Sequence, residues 1–104
     1  MSEGRLAHSA NLEGQVVLVT GASRGIGQAI ALALGQAGAT VIGTATSDKG
    51  AQAISDYLAA ASIKGGGKKL NVTDAAEVDA VIAAISAQFG DIGILVNNAG
   101  ITRD

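Results

Sequence analysis

Short apolar runs alternate along the chain with longer segments in which apolar residues recur every three or four positions. The runs predict four strands, at about 15–20, 40–44, 68–71 and 92–96. The longer segments predict three helices, at about 25–37, 48–61 and 75–88. The glycines and lysines at 64–69 predict a loop before the third strand. Strands that alternate with helices of this length form right-handed βαβ units, so we expect one parallel sheet.

Residues that favour helix ends stand at the boundaries of these segments. Gly38 follows the first helix, where a residue with positive φ commonly ends a helix. Ser47 or Asp48 is positioned to cap the start of the second helix. Asp74 and Glu77 have the spacing of a capping box at the start of the third helix. These residues support the predicted helix boundaries.

Three glycines separate the first strand from the first helix, in the sequence Thr20-Gly21-Ala22-Ser23-Arg24-Gly25-Ile26-Gly27. In this context a dinucleotide pyrophosphate meets the N-terminus of the helix. Gly21 allows a sharp turn, Gly25 lets the backbone approach a phosphate, and Gly27 lets the helix pack against the strand. Because 15 of the 104 residues are Gly, a plain glycine turn is the alternative interpretation of this motif alone.

A second motif, Asn97-Asn98-Ala99-Gly100, follows the fourth strand. The two motifs, in this order, resemble those of the short-chain dehydrogenase/reductase family. Three stretches, residues 41–47, 70–74 and 97–104, resemble its bacterial 3-oxoacyl-[acyl-carrier-protein] reductases. The resemblance implies a partial Rossmann-type α/β fold, a doubly wound parallel sheet with strand order 3-2-1-4. Helices one and two would cover one face and helix three the other, with ligands bound between strands one and four.

The resemblance covers about residues 12–104, which is less than half of such a family member. We expect residues 11–104 to form its N-terminal dinucleotide-binding part and residues 1–10 to be a disordered leader. The family's catalytic Ser and Tyr-x-x-x-Lys lie further along than this sequence extends. The single Tyr, Tyr57, is followed four positions later by Ala61 instead of Lys. We therefore place Tyr57 on a helix face and assign no catalytic residue.

The resemblance implies NADP(H) as the cofactor. In this family a basic residue just before the second motif glycine, here Arg24, favours a 2′-phosphate; a solvated surface arginine is the alternative. NAD-preferring members carry an acid at the end of strand two, about 20 residues past the glycines. Residues 43–46 hold no carboxylate, and Thr46 matches the residue that reaches the 2′-phosphate. Asp48, which comes later, is better explained as a helix cap.

Other residues implied to contact the cofactor lie at strand ends. Asn71-Val72 stands where many family members use Asp-Val to contact adenine, with an Asn that closes a turn as the alternative. Residues 98–100 are implied to line the ribose on the nicotinamide side, and Asn97 to tie strand four to its neighbours through backbone bonds. The whole implied cofactor-binding set is Gly21, Ser23, Arg24, Gly25, Ile26, Gly27, Thr46, Asn71, Val72, Asn98, Ala99 and Gly100.

The resemblance also implies a function. It identifies the chain as the NADP(H)-binding portion of a 3-oxoacyl-[acyl-carrier-protein] reductase, which reduces a β-ketoacyl thioester with NADPH in fatty acid biosynthesis. The implied partners are an acyl-carrier-protein-linked substrate and either a second copy of the chain or a complementary fragment. The alternative is a non-catalytic half-Rossmann fragment that acts as a weak nucleotide-binding or structural module.

Composition excludes several other classes of function. A length of 104 residues allows one domain, and a net charge of −2 gives no attraction to nucleic acid. The chain has no Cys and no apolar run of membrane-spanning length, so we expect no disulfide, no membrane partner and a cytoplasmic location. No spacing of His and carboxylates predicts a metal site. For the lysines at 64, 68 and 69 we favour a flexible loop over a weak phosphate contact.

Overall fold

The computed structural model describes residues 12–98, which form a four-stranded parallel sheet with helices packed on both faces. The elements are β1 (Val16–Val19), α1 (Gly25–Gln36), β2 (Thr40–Ala45), α2 (Asp48–Ala60), β3 (Gly65–Lys69), α3 (Ala75–Phe89) and β4 (Ile94–Val96). The strand order across the sheet is β3-β2-β1-β4. This confirms the α/β fold and the strand order expected from the sequence. The leader expected at residues 1–10 lies outside the described residues.

Helices α1 and α2 pack on one face of the sheet through aliphatic side chains. Val17 and Val19 of β1 both point to this face, because alternate side chains of a strand lie on the same side. Both are fully buried, as are Ala31 of α1 and Ile54 of α2. The chain has one Phe, one Tyr and no Trp, so small and branched side chains build this core.

Helix α3 covers the opposite face. Val16 and Leu18 of β1 pack there with Ile42 of β2. Ile85, the fully buried residue of α3, completes this cluster. The expected distribution of the three helices over the two faces is therefore confirmed. None of the helices in residues 12–98 has the length and apolar character needed to cross a membrane.

The third strand differs from the sequence prediction. It covers Gly65–Lys69, where we expected a loop followed by a strand at about 68–71. These five residues pair in parallel register with residues 41–45 of β2. A side chain at Gly67 would collide with the Ala51 carbonyl of α2, so the glycine lets that helix lie directly on the strand. Glycine is depleted in strands and has no side chain to reveal alternation, which is why the sequence pattern concealed this strand.

The other elements begin and end within two residues of their predicted positions, and Ser47 and Asp74 cap their helices. The capping box predicted at Asp74 and Glu77 forms only in part, because the Glu77 carboxylate accepts from the Asn71 N–H and the Asp74 N–H donates to the Asn71 carbonyl. The Ser47 hydroxyl accepts a hydrogen bond from the Gly50 N–H at 3.0 Å. The Asp74 carboxylate accepts one from the Glu77 N–H at 3.2 Å. Gly38 has a φ of 109° directly after the C-cap of α1, which is the positive value expected there.

We predict that Ile85→Ala lowers the free energy of unfolding by about 2–5 kcal/mol, because it leaves a cavity at a fully buried position. Ile82 lies on the same helix but is 38% exposed, so Ile82→Ala should cost about 1 kcal/mol or less. Urea unfolding followed by circular dichroism measures both variants. Equal losses for the two variants would contradict the packing of α3 on the sheet through Ile85.

Candidate functional site

The segment that joins β1 to α1 and includes the first residues of the helix, residues 20–27, lies where the strand order changes direction; we call it the glycine turn. β1 pairs with β2 on one side and with β4 on the other. The chain passes from β1 through α1 to β2 and reaches β4 only later, so the connections diverge at β1. Doubly wound sheets bind ligands at this point, at the carboxyl ends of the strands.

The three motif glycines meet different structural requirements. Gly21 and Gly25 have φ values of 63° and 64°, a left-handed conformation that other residues rarely adopt. A Cβ at Gly25 would have no atom within 4 Å, so this residue borders open space. A Cβ at Gly27 would collide with the Gly21 carbonyl and would lie 2.7 Å from the Asn98 amide nitrogen. The first two glycines therefore shape the turn, and the third brings α1 against it.

The N-terminus of α1 is not capped by a side chain. Its cap residue, Arg24, has an extended backbone and makes no side-chain capping hydrogen bond, and the first turn of α1 has no acidic residue. In contrast, α2 and α3 are capped by Ser47 and Asp74, and each has an acid in its first turn. Backbone N–H groups at a helix start carry a partial positive charge. The start of α1, next to the open space at Gly25, is therefore suited to bind an anion.

Hydrogen bonds from three neighbouring elements hold two residues of the glycine turn. The Gly21 N–H donates to the Thr44 hydroxyl at 3.4 Å, and the Ala22 N–H donates to the Thr44 carbonyl at 2.8 Å. The Asn98 amide donates to the Gly21 carbonyl at 2.9 Å. The Tyr57 hydroxyl donates to the Ala22 carbonyl at 2.6 Å. The turn is thus attached to β2, to α2 and to the segment after β4.

Thr44 and Tyr57 are absent from the site expected from the sequence. Tyr57 lies on a face of α2 as expected, but its hydroxyl also contacts a residue 35 positions earlier. Thr44 contacts Gly21, which lies 23 positions earlier. Contacts between residues this far apart in the sequence leave no local sequence pattern that could predict them. For Thr44 the available signal is a hydroxyl within a buried apolar strand, because such a group needs a hydrogen-bond partner.

The two asparagines after β4 have different environments. The Asn97 side-chain oxygen accepts a hydrogen bond from the Thr20 hydroxyl at 3.3 Å, which links the ends of β4 and β1. Asn98 is 2% exposed, and its Oδ1 atom has no hydrogen-bond donor among the described residues. Buried polar atoms are nearly always paired, so this acceptor fits a hydroxyl donor from a ligand. The described residues contain no cluster of three or more His, Cys, Asp or Glu that could hold a metal ion.

Three other predicted residues lie in the glycine turn, and a fourth, Thr46, lies next to it after β2. Arg24 and Ile26 are exposed, and Thr46 is exposed directly after β2. Ser23 is partly buried, and its Cβ would lie 3.5 Å from a Cβ at Gly50, so the first turn of α2 lies against it. Thr46 follows β2, the strand whose Thr44 binds the turn. All four residues therefore lie at the carboxyl ends of the strands.

Asn71, which follows β3, closes a turn. Its side-chain oxygen accepts hydrogen bonds from the Thr73 N–H at 3.1 Å and the Thr73 hydroxyl at 2.7 Å. Its own N–H donates to the Glu77 carboxylate at 2.7 Å, which joins the turn to α3. The turn-closing interpretation is confirmed, whereas contacts of Asn71 and Val72 with adenine stay a prediction. Residues 99–100, which are also predicted to contact the cofactor, lie outside the described residues.

The chain is similar to known proteins over most of its length. Residues 15–104 match the family described as short chain dehydrogenase. The chain is 64% identical over 94 residues to the 3-oxoacyl-[acyl-carrier-protein] reductase FabG of Escherichia coli (strain K12). It is also 64% identical over 94 residues to FabG of Vibrio cholerae and 55% identical over 94 residues to FabG of Pseudomonas aeruginosa.

These similarities cover 90% of this chain but only 37–38% of each relative. The chain therefore spans less than two fifths of the length of the curated relatives it matches. The family match includes the glycine turn and both asparagines after β4, the two segments that form the site. On this evidence the chain belongs to the short-chain dehydrogenase family.

Proposed function

We propose that this chain is the NADP(H)-binding portion of a 3-oxoacyl-[acyl-carrier-protein] reductase. The observation that carries the proposal is the start of α1, which has no side-chain cap and borders open space at Gly25. The names of the relatives support the reaction, which is reduction of an acyl-carrier-protein-linked 3-oxoacyl group. A place for this reaction in fatty acid biosynthesis is part of the proposal. In that reaction the cofactor, when bound, supplies a hydride, and the residues of this chain hold it.

The backbone at the start of α1 would bind the pyrophosphate. The N–H groups there have no side-chain partner in the cap, and the positive end of the helix favours a negative group. Gly25 leaves the approach clear, because it has no side chain to occupy the open space in front of it. Ser23 and Ile26, on either side of Arg24 and Gly25, complete this part of the proposed site.

Arg24 and Thr46 would select NADP(H) over NAD(H). A guanidinium forms charge-assisted hydrogen bonds to phosphate, and a threonine hydroxyl can add another. An acid at the end of β2 would repel a 2′-phosphate, but this strand ends at Ala45 and is followed by Thr46 and Ser47. Asp48 is the first residue of α2, where a negative charge stabilises the helix start.

The rest of the cofactor would extend to the other strand ends. Asn71 and Val72 follow β3 and would contact the adenine. Asn98, with Ala99 and Gly100, would contact the ribose next to the nicotinamide. The buried Oδ1 atom of Asn98 supports this assignment, because a ribose hydroxyl can supply the donor that the described residues do not.

No residue of this chain is proposed as a proton donor for the reduction. The hydroxyl of Tyr57 is already bonded to the Ala22 carbonyl, and the residue four positions after Tyr57 is Ala61. The proposed share of this chain in the reaction is therefore to bind and orient the cofactor. A cytoplasmic location stays a prediction.

We also propose that the chain associates with a second copy or with a complementary fragment. β4 is at the edge of the described sheet, where it pairs only with β1. Its central residue, Leu95, is 62% exposed. An exposed apolar edge strand has unpaired backbone groups that can pair with another strand.

Arg24→Ala should weaken NADPH binding by about 1–3 kcal/mol and leave NADH binding nearly unchanged, because only NADPH carries the 2′-phosphate. Lys64→Ala is the matched control, since it also removes one positive charge. Lys64 precedes β3 and so lies at the amino ends of the strands, whereas the glycine turn lies at their carboxyl ends. Fluorescence titration with each cofactor measures the affinities. Equal weakening of NADPH and NADH by Arg24→Ala would overturn the proposed role of this residue.

Gly25→Val and Gly27→Val should separate cofactor binding from folding. The first side chain enters open space, so we expect loss of NADPH binding with helix content largely retained, despite about 1–3 kcal/mol of backbone strain. The second collides with the Gly21 carbonyl, so we expect a lower melting temperature as well. Circular dichroism and cofactor titration measure the two effects. Affinity of the Gly25→Val variant equal to the parent's would show that Gly25 has no role in binding.

Leu95→Lys should reduce self-association, because it places a charge on the exposed edge strand. Val72→Lys is a suitable control in the absence of cofactor, since Val72 is 37% exposed and follows β3, the edge strand opposite β4. Analytical ultracentrifugation over a range of protein concentrations gives the association state of each variant. A parent chain that sediments as a monomer at every concentration would contradict this part of the proposal.

A further inference from the structure

Tyr57 makes a contact that its position on α2 does not require. Its ring packs, partly buried, against the core between α2 and the sheet. Its hydroxyl lies 2.6 Å from the carbonyl oxygen of Ala22, the residue between Gly21 and Ser23 in the glycine turn. Burial raises the pKa of this phenol to about 12, so the hydroxyl remains a donor throughout the neutral range.

Ala22 is held in place by its surroundings on several sides. Its side chain is fully buried, and a Cβ at Gly43 would lie 2.8 Å from it. Its N–H donates to the Thr44 carbonyl at 2.8 Å. The hydrogen bond from Tyr57 then fixes the remaining polar atom of the residue, its carbonyl oxygen. Contacts with β2 and α2 therefore fix both the N–H and the carbonyl group of Ala22.

The direction of the Ala22 carbonyl also determines the direction of the next N–H group. The carbonyl of Ala22 and the N–H of Ser23 belong to one planar peptide unit, and the described residues contain no cis peptide bond. In a trans peptide these two groups point in opposite directions. Because Tyr57 draws the carbonyl toward α2, the Ser23 N–H points away from α2. Rotation of this peptide would also displace Arg24, the next residue along the chain.

We propose that Tyr57 is a positioning residue for cofactor binding: its hydroxyl fixes the peptide between Ala22 and Ser23, so that the Ser23 N–H and Arg24 face the phosphate groups of the bound dinucleotide. The inference rests on the proposed function of the glycine turn. Helix α2 would then contribute to phosphate recognition through Tyr57 without contacting the ligand. This role depends on the hydroxyl, because the ring by itself would only pack against the core.

The test compares Tyr57→Phe with the parent in the full chain. The variant keeps the ring and removes the hydroxyl, so we expect NADPH and adenosine 2′,5′-bisphosphate to bind about five- to tenfold more weakly, as for one lost hydrogen bond. Adenosine, which has no phosphate, should bind with unchanged affinity in an NMR titration. The amide signal of Ser23 should also shift in the ligand-free variant, which a role limited to core packing would not cause.

Gln52→Ala is the matched control variant. Gln52 lies on the same helix, and its side chain donates to the Asp56 carboxylate at 2.9 Å on the exposed side. Its loss also removes one side-chain hydrogen bond from α2, but not one to the glycine turn, so the affinities for all three ligands should equal the parent's. Weakening by Gln52→Ala equal to that by Tyr57→Phe would overturn the inference.

The remaining outcomes separate the inference from the proposed function. A parent that binds no NADPH overturns both. A parent that binds NADPH, with a Tyr57→Phe variant that binds it equally well, overturns the role of Tyr57 alone. Equal weakening of adenosine and of the phosphorylated ligands also overturns it, because the effect would then not act through phosphate recognition.

A second measurement does not depend on the folding of any variant. Tyr57 is the only Tyr in the sequence, so biosynthetic incorporation of 3-fluorotyrosine labels this position alone. The ¹⁹F signal should shift when NADPH or adenosine 2′,5′-bisphosphate binds, because a phosphate on the Ser23 N–H polarises the same peptide unit. It should not shift with adenosine. A signal that is the same with and without NADPH, in protein that binds NADPH, would overturn the proposal.

Discussion

The close approach of α1 to the end of β1 is the contact on which the candidate site depends. It is possible because Gly27 has no side chain: a Cβ there would collide with the Gly21 carbonyl. The same carbonyl accepts the Asn98 amide, which brings the segment after β4 to the turn. One position without a side chain thus sets the spacing between the helix start, the turn and the neighbouring strand. A larger residue would force the three apart.

The absence of a side chain also sets the distance between α2 and the sheet. A Cβ at Gly43 would lie 2.8 Å from both the Ala22 Cβ and a methyl group of Ile54. Because α2 lies this close, the hydroxyl of Tyr57 reaches the glycine turn. Glycine reduces the intrinsic stability of a strand. Here the fully buried Ile54 and Leu58 of α2 offset that cost by packing against the sheet.

Most of the fold could be predicted because local patterns determine it. Apolar runs marked β1, β2 and β4, and polar caps such as Ser47 and Asp74 marked where helices begin. The strand order came from the family resemblance and not from any pattern. β3 was placed wrongly because Gly65–Lys69 has neither alternation nor strand-forming side chains. What makes this segment a strand is its pairing with β2 and the packing of α2 on it at Gly67, and both are tertiary effects.

The candidate site also has a part that a local motif predicts and a part that depends on contacts distant in sequence. The two parts together indicate what kind of ligand the site suits. The eight residues of the glycine turn form a local motif, whereas Thr44 and Tyr57 reach the turn across more than 20 positions of sequence. Together with the Asn98 amide, they pair the polar groups of Gly21 and Ala22. The groups that remain are N–H donors at the start of α1, which has no side-chain cap, and one buried acceptor, the Asn98 Oδ1 atom. Donors suited to an anion beside an acceptor suited to a hydroxyl support the proposal that the site binds a phosphorylated sugar, because such a ligand carries both groups.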